Sequence, residues 1–221
     1  MTVNRMTLAQ AILIRSDTFS RPWLRDGTLI MGGSLLVAVC AQVSVPLPYT
    51  PVPVTLQTFA VLLIGALLGP RLGAMAMAAY LAEGLAGLPV FAGGRSAWSP
   101  SSLPPLPVIV GPTAGYLLAF VPAAALSGFL ARRGWDRRFF TAAAALFAGS
   151  FVILGCGFCW LAGVTWLASG QVRAAELFAL AVAPFLPADV VKVLLAALAL
   201  PTAWKFVAPA HEINTPDDCV K

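Results

Sequence analysis

Six apolar stretches, each closed off by proline, glycine or charge, run through this chain at about 28–45, 54–68, 72–91, 106–130, 139–168 and 185–207. Stretches of this length suit a bilayer, because a spanning helix needs about 20 mostly apolar residues. A chain of 221 residues then holds about six or seven spans with short connections and leaves no room for a soluble catalytic domain. Composition agrees: 59% of residues are hydrophobic and only 10% charged, against roughly a quarter charged in soluble domains.

The breaks between stretches carry their own signals. PLPYTPVP (46–53) has a proline at every second or third position and is expected to be a stiff extended loop, since proline lacks the N–H and disfavours helical geometry before it. GGRSAWSPSSLPPLP (93–107), rich in Gly, Ser and Pro, reads as a flexible lid or cap. Segment 171–184 is apolar enough for a short extra helix or a re-entrant segment. The first 27 residues carry four arginines and no long apolar core, so they read as a cytoplasmic tail and not as a cleaved signal peptide.

The net charge of +5 would suggest nucleic acid for a soluble protein. The positions of the cations give a better explanation, in topology, and no nucleic-acid partner is expected. With the N-terminus inside, eleven Lys and Arg fall on the cytoplasmic side, including the cluster Arg132, Arg133, Arg137 and Arg138, and only Arg95 and Arg173 fall outside. That bias matches the positive-inside rule for an even number of spans. The expected fold is therefore an all-α integral membrane protein, a six-transmembrane-helix bundle with both termini cytoplasmic. Its parts are a tail at 1–27, a membrane domain at 28–208 and a tail at 209–221.

Charges inside spans are costly, about 2.5–3.5 kcal/mol each at a helix centre, and so mark functional candidates. Three occur: Glu83, Asp189 and Lys192. In PFLPADVVK, Pro187 suits a helix start and Asp189 falls in the first turn, where the helix dipole favours a negative charge. Lys192 at i+3 shares its face. Lys192 stands roughly 20 Å along the helix from Lys205 at the inner edge, which places the pair in the outer half of the membrane. The pair either lines a ligand pocket or neutralises itself to fix helix packing. Glu83 either accepts from a ligand's N–H groups or pairs with Arg95. Gln57 offers an amide to a ligand or to a neighbouring helix. Arg95 and Trp98 in the outer loop could grip a carboxylate and cover an apolar ring, or simply be interfacial. Ser34 and Ala38, four apart beside Gly32, Gly33 and Ala41, form a small-residue seam where another protein or a second copy could approach, a route to a homo-oligomer.

Read in order, PYTPVPVTLQTFAVLLIGALLGPRLG (48–73), YLAEGLAGLPVF (80–91), GPTAGYLLAF (111–120) and FLPADVVK (185–192) resemble the signatures of the BioY family over residues 30–205. The resemblance implies six helices, biotin capture from the outer side and a bacterial cytoplasmic membrane location. It also implies a role as substrate-binding S component of an energy-coupling factor transporter, partnered by a transmembrane coupling protein and two ATPase subunits. The chain itself has no Gly-Lys-Ser or Gly-Lys-Thr, so ATP hydrolysis belongs to those partners. No cofactor and no enzymatic activity are expected. Carried over position by position, Gln57, Tyr116, Asp189 and Lys192 match binding-site contributors. The chain departs from the family pattern at Ala114, where GPTGGY has Gly, and at Ala188, where Pro-Gly-Asp is common. Family members vary at the position of Glu83 and around Arg95.

Biotin suits these residues: a cyclic urea, an apolar sulfur-containing ring and a valerate carboxylate. Asp189, with Gln57 or Glu83, would meet the urea edge, and Lys192 or Arg95 the carboxylate. Two rivals remain. One is a redox enzyme built on Cys156 and Cys159, a C-x-x-C whose mid-span position disfavours the thiolate it would need. The other is a stand-alone transporter for a different vitamin-like solute. The single histidine, His211, lies in the tail, and no set of metal ligands appears. With Cys40, Cys156 and Cys159 in apolar runs and only Cys219 outside, a disulfide framework is not expected either.

Overall fold

The computed structural model describes residues 7–8, 21–48, 50–101 and 106–207. The first long helix, α1 (Pro22–Gln42), starts six residues before the expected boundary at Thr28 because Pro22 takes the first helical position, where its missing N–H has no bond to lose. Arg25 and Asp26, assigned from sequence to the tail, are therefore helical and paired side by side at 3.0 Å. Past Val43 the chain enters a two-stranded antiparallel ribbon, β1 (Ser44–Val45) with β2 (Val54–Thr55). The proline-rich segment 46–53 is the connection between those strands.

The second helix, α2 (Gln57–Leu85), consists of two helical segments that meet at a break at Gly69. Gly69 sits at φ 85°, ψ 177°, a conformation that suits glycine and not residues with a Cβ, and Pro70 follows it. A straight helix would hold Gln57 and Tyr80 about 35 Å apart at 1.5 Å per residue. Instead the Gln57 amide donates to the Tyr80 hydroxyl at 2.6 Å. The halves 57–68 and 70–85 thus fold back as a tight hairpin, so close that a Cβ on Gly73 would lie 2.9 Å from the Gly65 Cα. The second half stops at Leu85 and not at Phe91. The chain reverses after it, and Phe91 packs its ring where a Gly84 side chain would be.

Helix α3 (Ala114–Arg132) begins eight residues later than the expected 106, because Pro107, Gly111 and Pro112 hold 106–113 in turns. A 3₁₀ turn (Trp135–Arg137) leads into α4 (Phe139–Ser169), which Gly170 ends in left-handed geometry. The ambiguous segment 171–184 contains a short helix, α5 (Ala174–Ala181), before α6 (Leu186–Val207). Among the described residues, five helices are long and apolar enough to cross a membrane, with the α2 hairpin counted as one.

Two expectations are corrected here. The small-residue seam of α1 is occupied from within: Ser34 is fully buried, Ala38 nearly so, and a Cβ on Gly33 would sit 3.0 Å from that of Ala76. Close helix approach is the use of this seam, but the helix it receives is α2 of the same chain, so Ser34 and Ala38 offer no surface to a partner. The loop at 93–107 is also no loose lid in its described part. Phe91 pairs with Arg95 and Pro100 with Pro107. The Ala97 amide donates to Gly84, and the Ile109 amide to Ala97. Ala97 is completely buried, so the loop is a folded cap over one end of the bundle.

Candidate functional site

Beneath that cap lies a partly open cavity of about 70 Å³. Its walls are mostly apolar, with Val52, Val108, Leu117, Phe120, Ile153 and Phe185 among them. The polar groups converge from separate elements: Gln57 and Thr58 from the start of α2, Arg95 from the cap, Asp189 and Lys192 from the first turns of α6. It occupies the end of the bundle where α3 and α6 begin. The Arg132–Arg138 cluster follows the end of α3, on the opposite side.

Asp189 and Lys192 are 4% and 8% exposed. The Lys192 ammonium donates to Asp189 Oδ1 at 3.2 Å and to Thr58 Oγ1 at 3.0 Å. Thr58 in turn donates to Asp189 Oδ1 at 3.3 Å. On the other side Ser150, from α4, donates to Asp189 Oδ2 at 2.7 Å. A buried ion pair offsets its desolvation only when such extra hydrogen bonds satisfy it. Here two other helices supply them, α2 through Thr58 and α4 through Ser150.

A carboxylate has about four acceptor positions and an ammonium three donors. Two positions on Oδ1 and one on Oδ2 are engaged, as are two of the Lys192 donors. One acceptor position on Asp189 and one N–H on Lys192 remain. That is the complement of an amide or urea edge, which presents N–H and C=O side by side.

The other sequence-derived site residues divide. Gln57 lines the cavity, but its amide is held on both sides, donating to Tyr80 and accepting from the Thr55 hydroxyl at 3.2 Å. Tyr116 also lines it, with its hydroxyl committed to the Ala181 carbonyl at 2.7 Å and its ring near that of Phe185, so it presents an apolar face. Arg95 lines the cavity from the cap. Glu83 is half-buried and outside the lining, on the same helix as Tyr80. Trp98 stands 62% exposed with its indole N–H on the Leu85 carbonyl, away from the cavity. Cys156 and Cys159 are free thiols exposed on the outer surface of α4, in a shallow apolar groove with Trp160. His211 and Cys219 lie outside the described residues, and among those described no metal-binding group of three His, Cys, Asp or Glu occurs.

Sequence reading missed Thr58, Ser150 and Tyr80. Ser150 left a trace, a hydroxyl amid a long apolar run, but nothing local tied it to Asp189, 39 residues on.

At the opposite end, Asp136 is 2% exposed and accepts from the Trp204 indole N–H at 2.6 Å. Burial pushes its carboxyl above the ordinary range, against the opposing pull of that hydrogen bond and of Arg137.

Known proteins match this architecture. A biotin transporter BioY from Rhodobacter capsulatus is 36% identical over 190 residues, covering 82% of this chain and 94% of that protein. A probable biotin transporter BioY from Pyrococcus horikoshii is 38% identical over 157 residues, 71% and 82% of the two chains. The crystal structure of the S-component for biotin from an ECF-type ABC transporter superposes with a TM-score of 0.70 over 85% of this chain and 95% of that one, at 22% identity, which establishes a shared fold. The profile of the BioY family matches residues 7–209, from the buried Thr7 to just past the end of α6, and the chain belongs to that family.

Proposed function

We propose that this chain captures biotin from the outer side of the bacterial cytoplasmic membrane and delivers it inward as the substrate-specific S component of an energy-coupling factor transporter. The observation that carries this reading is the Asp189–Lys192 pair, stapled by Thr58 and Ser150 so that one acceptor and one donor remain at the wall of a mostly apolar cavity. A ureido ring supplies the matching N–H and C=O, and its apolar sulfur-containing ring suits the walls around Phe120, Ile153 and Phe185. Arg95, which lines the cavity from the cap, is our candidate to meet the valerate carboxylate. Gln57 and Tyr116 shape the wall, and Glu83 contributes from outside it.

In this reading the α2 hairpin crosses twice, giving six crossings with both termini in the cytoplasm and the arginine cluster on the inner face. A transmembrane coupling protein and two ATPase subunits supply the energy. The names of the R. capsulatus and P. horikoshii relatives support the substrate. The test is equilibrium biotin binding to the detergent-purified protein. Saturable binding at one biotin per chain, resisted by other unlabelled vitamins, is expected. No binding, or equal competition by an unrelated vitamin, defeats the proposal.

A further inference from the structure

The cap turn at 91–95 brings Phe91, Ala92 and Arg95 to the cavity, and it is a tight one. Phe91 and Arg95 exchange backbone hydrogen bonds at 2.8 and 3.3 Å, and Gly93 and Gly94 both adopt positive φ, at 71° and 68°. Such a turn fixes its own shape but not its position over the cavity. Two side chains supply that. The Tyr80 hydroxyl donates to the Val90 carbonyl at 3.0 Å. At the last residue of α1, the Gln42 amide donates to the Phe91 carbonyl at 3.4 Å and accepts from the Gly94 N–H at 3.0 Å, while also holding its own helix through the Ala38 carbonyl at 3.1 Å. Carbonyls 90 and 91 are thus taken by side chains from two different helices, and Gln42 grips both limbs of the turn.

Gln42 is exposed and lines no part of the cavity. We infer that Gln42 is a positioning residue for ligand retention: it clamps the cap turn to α1 and so holds Arg95 and Phe91 over the bound molecule. Helix α1 supplies no cavity-lining residue, so this clamp is its route to the ligand. A side-chain amide that binds a backbone N–H and a backbone carbonyl at once imitates a strand edge, and no hydrocarbon side chain can replace it. The inference rests on biotin as the ligand, and its test separates the two.

The experiment uses the full-length protein in lipid nanodiscs with Gln42→Ala and Gln42→Glu. The glutamate keeps the acceptor for the Gly94 N–H and loses the donor to Phe91. Dissociation of labelled biotin is timed, and backbone hydrogen exchange is followed over residues 88–97. Expected for Gln42→Ala is a release rate raised about five- to tenfold, the effect of losing one or two such bonds, with faster exchange confined to the cap. Gln42→Glu should fall between alanine and the parent. The thermal midpoint without biotin should stay unchanged in all three, which a merely structural role would not give. An unchanged release rate, or cap exchange identical to the parent, overturns the inference. Failure of the unsubstituted protein to bind biotin overturns the substrate assignment alone, and the exchange data then decide whether Gln42 clamps the cap.

Discussion

Ser150, 3% exposed in the body of α4, donates a 2.7 Å hydrogen bond to Asp189 on α6, whose carboxylate also receives Lys192 and Thr58. The acid is therefore oriented by the tertiary structure before any ligand arrives, and preorganisation of this kind lowers the cost of binding. Asp189→Asn should weaken biotin binding by about 2–5 kcal/mol, roughly 30-fold or more, as truncations of buried charge pairs do. Ser150→Ala should lose about 1–3 kcal/mol. In the double variant the losses should not add, because the serine acts through the aspartate. Calorimetric titration of the four proteins checks this, and strict additivity would refute it.

Gly69 makes the α2 hairpin, and a side chain there meets two obstacles. Its φ of 85° disfavours L residues, and a Cβ would come within 2.8 Å of Thr7 and 3.1 Å of Arg132. Gly69→Ala should lower stability by about 1–3 kcal/mol. Gly32→Ala, on an exposed face of α1 with nothing within 4 Å, should be neutral or stabilising. Thermal unfolding in detergent compares the two, and equal midpoints would count against the hairpin.

Asp136 gives a pH dependence of definite sign. Its carboxyl is raised above the ordinary value of 3.8 by burial, so the folded protein holds the proton to higher pH than the unfolded chain does. Stability from this group is greatest at low pH and falls as pH rises from about 3.8 through the raised value, with no further change above it. Asp136→Asn keeps an acceptor for Trp204 and removes the buried charge. Its thermal midpoint should exceed the parent's at pH 8 and approach it on acidification. A difference that grows toward low pH would reverse the assignment.

The proposed topology is open to labelling. In a variant lacking the native cysteines, Trp98→Cys in the cap should react with a membrane-impermeant maleimide on intact cells. Arg133→Cys, exposed at the far end of α3, should react only after permeabilisation. The opposite pattern would turn the cavity toward the cytosol and remove the capture mechanism.

Much of this was legible in one dimension. The apolar runs located the long helices, and the i, i+3 spacing put Asp189 and Lys192 on one face, where they meet at 3.2 Å. Helix ends were less legible. Pro22 extended α1 toward the N-terminus, and the turns after Leu85 and before Ala114 shortened the helices around the cap, since ends depend on which local bonds the rest of the chain permits. The reversal within α2 lay in the Gly69–Pro70 pair, and the proline-rich and Gly-rich breaks marked both loops without saying that one would fold into a hydrogen-bonded cap.

What the sequence determined by itself was the solvent and the chemistry: long apolar runs with few charges require lipid, and an acid and an amine within an apolar helix require each other or a ligand. Only the tertiary structure decided which partners those groups keep. Ser150 and Thr58 reach Asp189 across 39 and 131 residues of chain, Tyr116 commits its hydroxyl to Ala181, and the Ser34–Ala38 seam faces the chain's own hairpin. The physical reason is that hydrogen bonding is directional and short in reach, so the satisfaction of a buried polar group depends on which helices pack together, and hydrophobic patterning along one helix does not encode that choice.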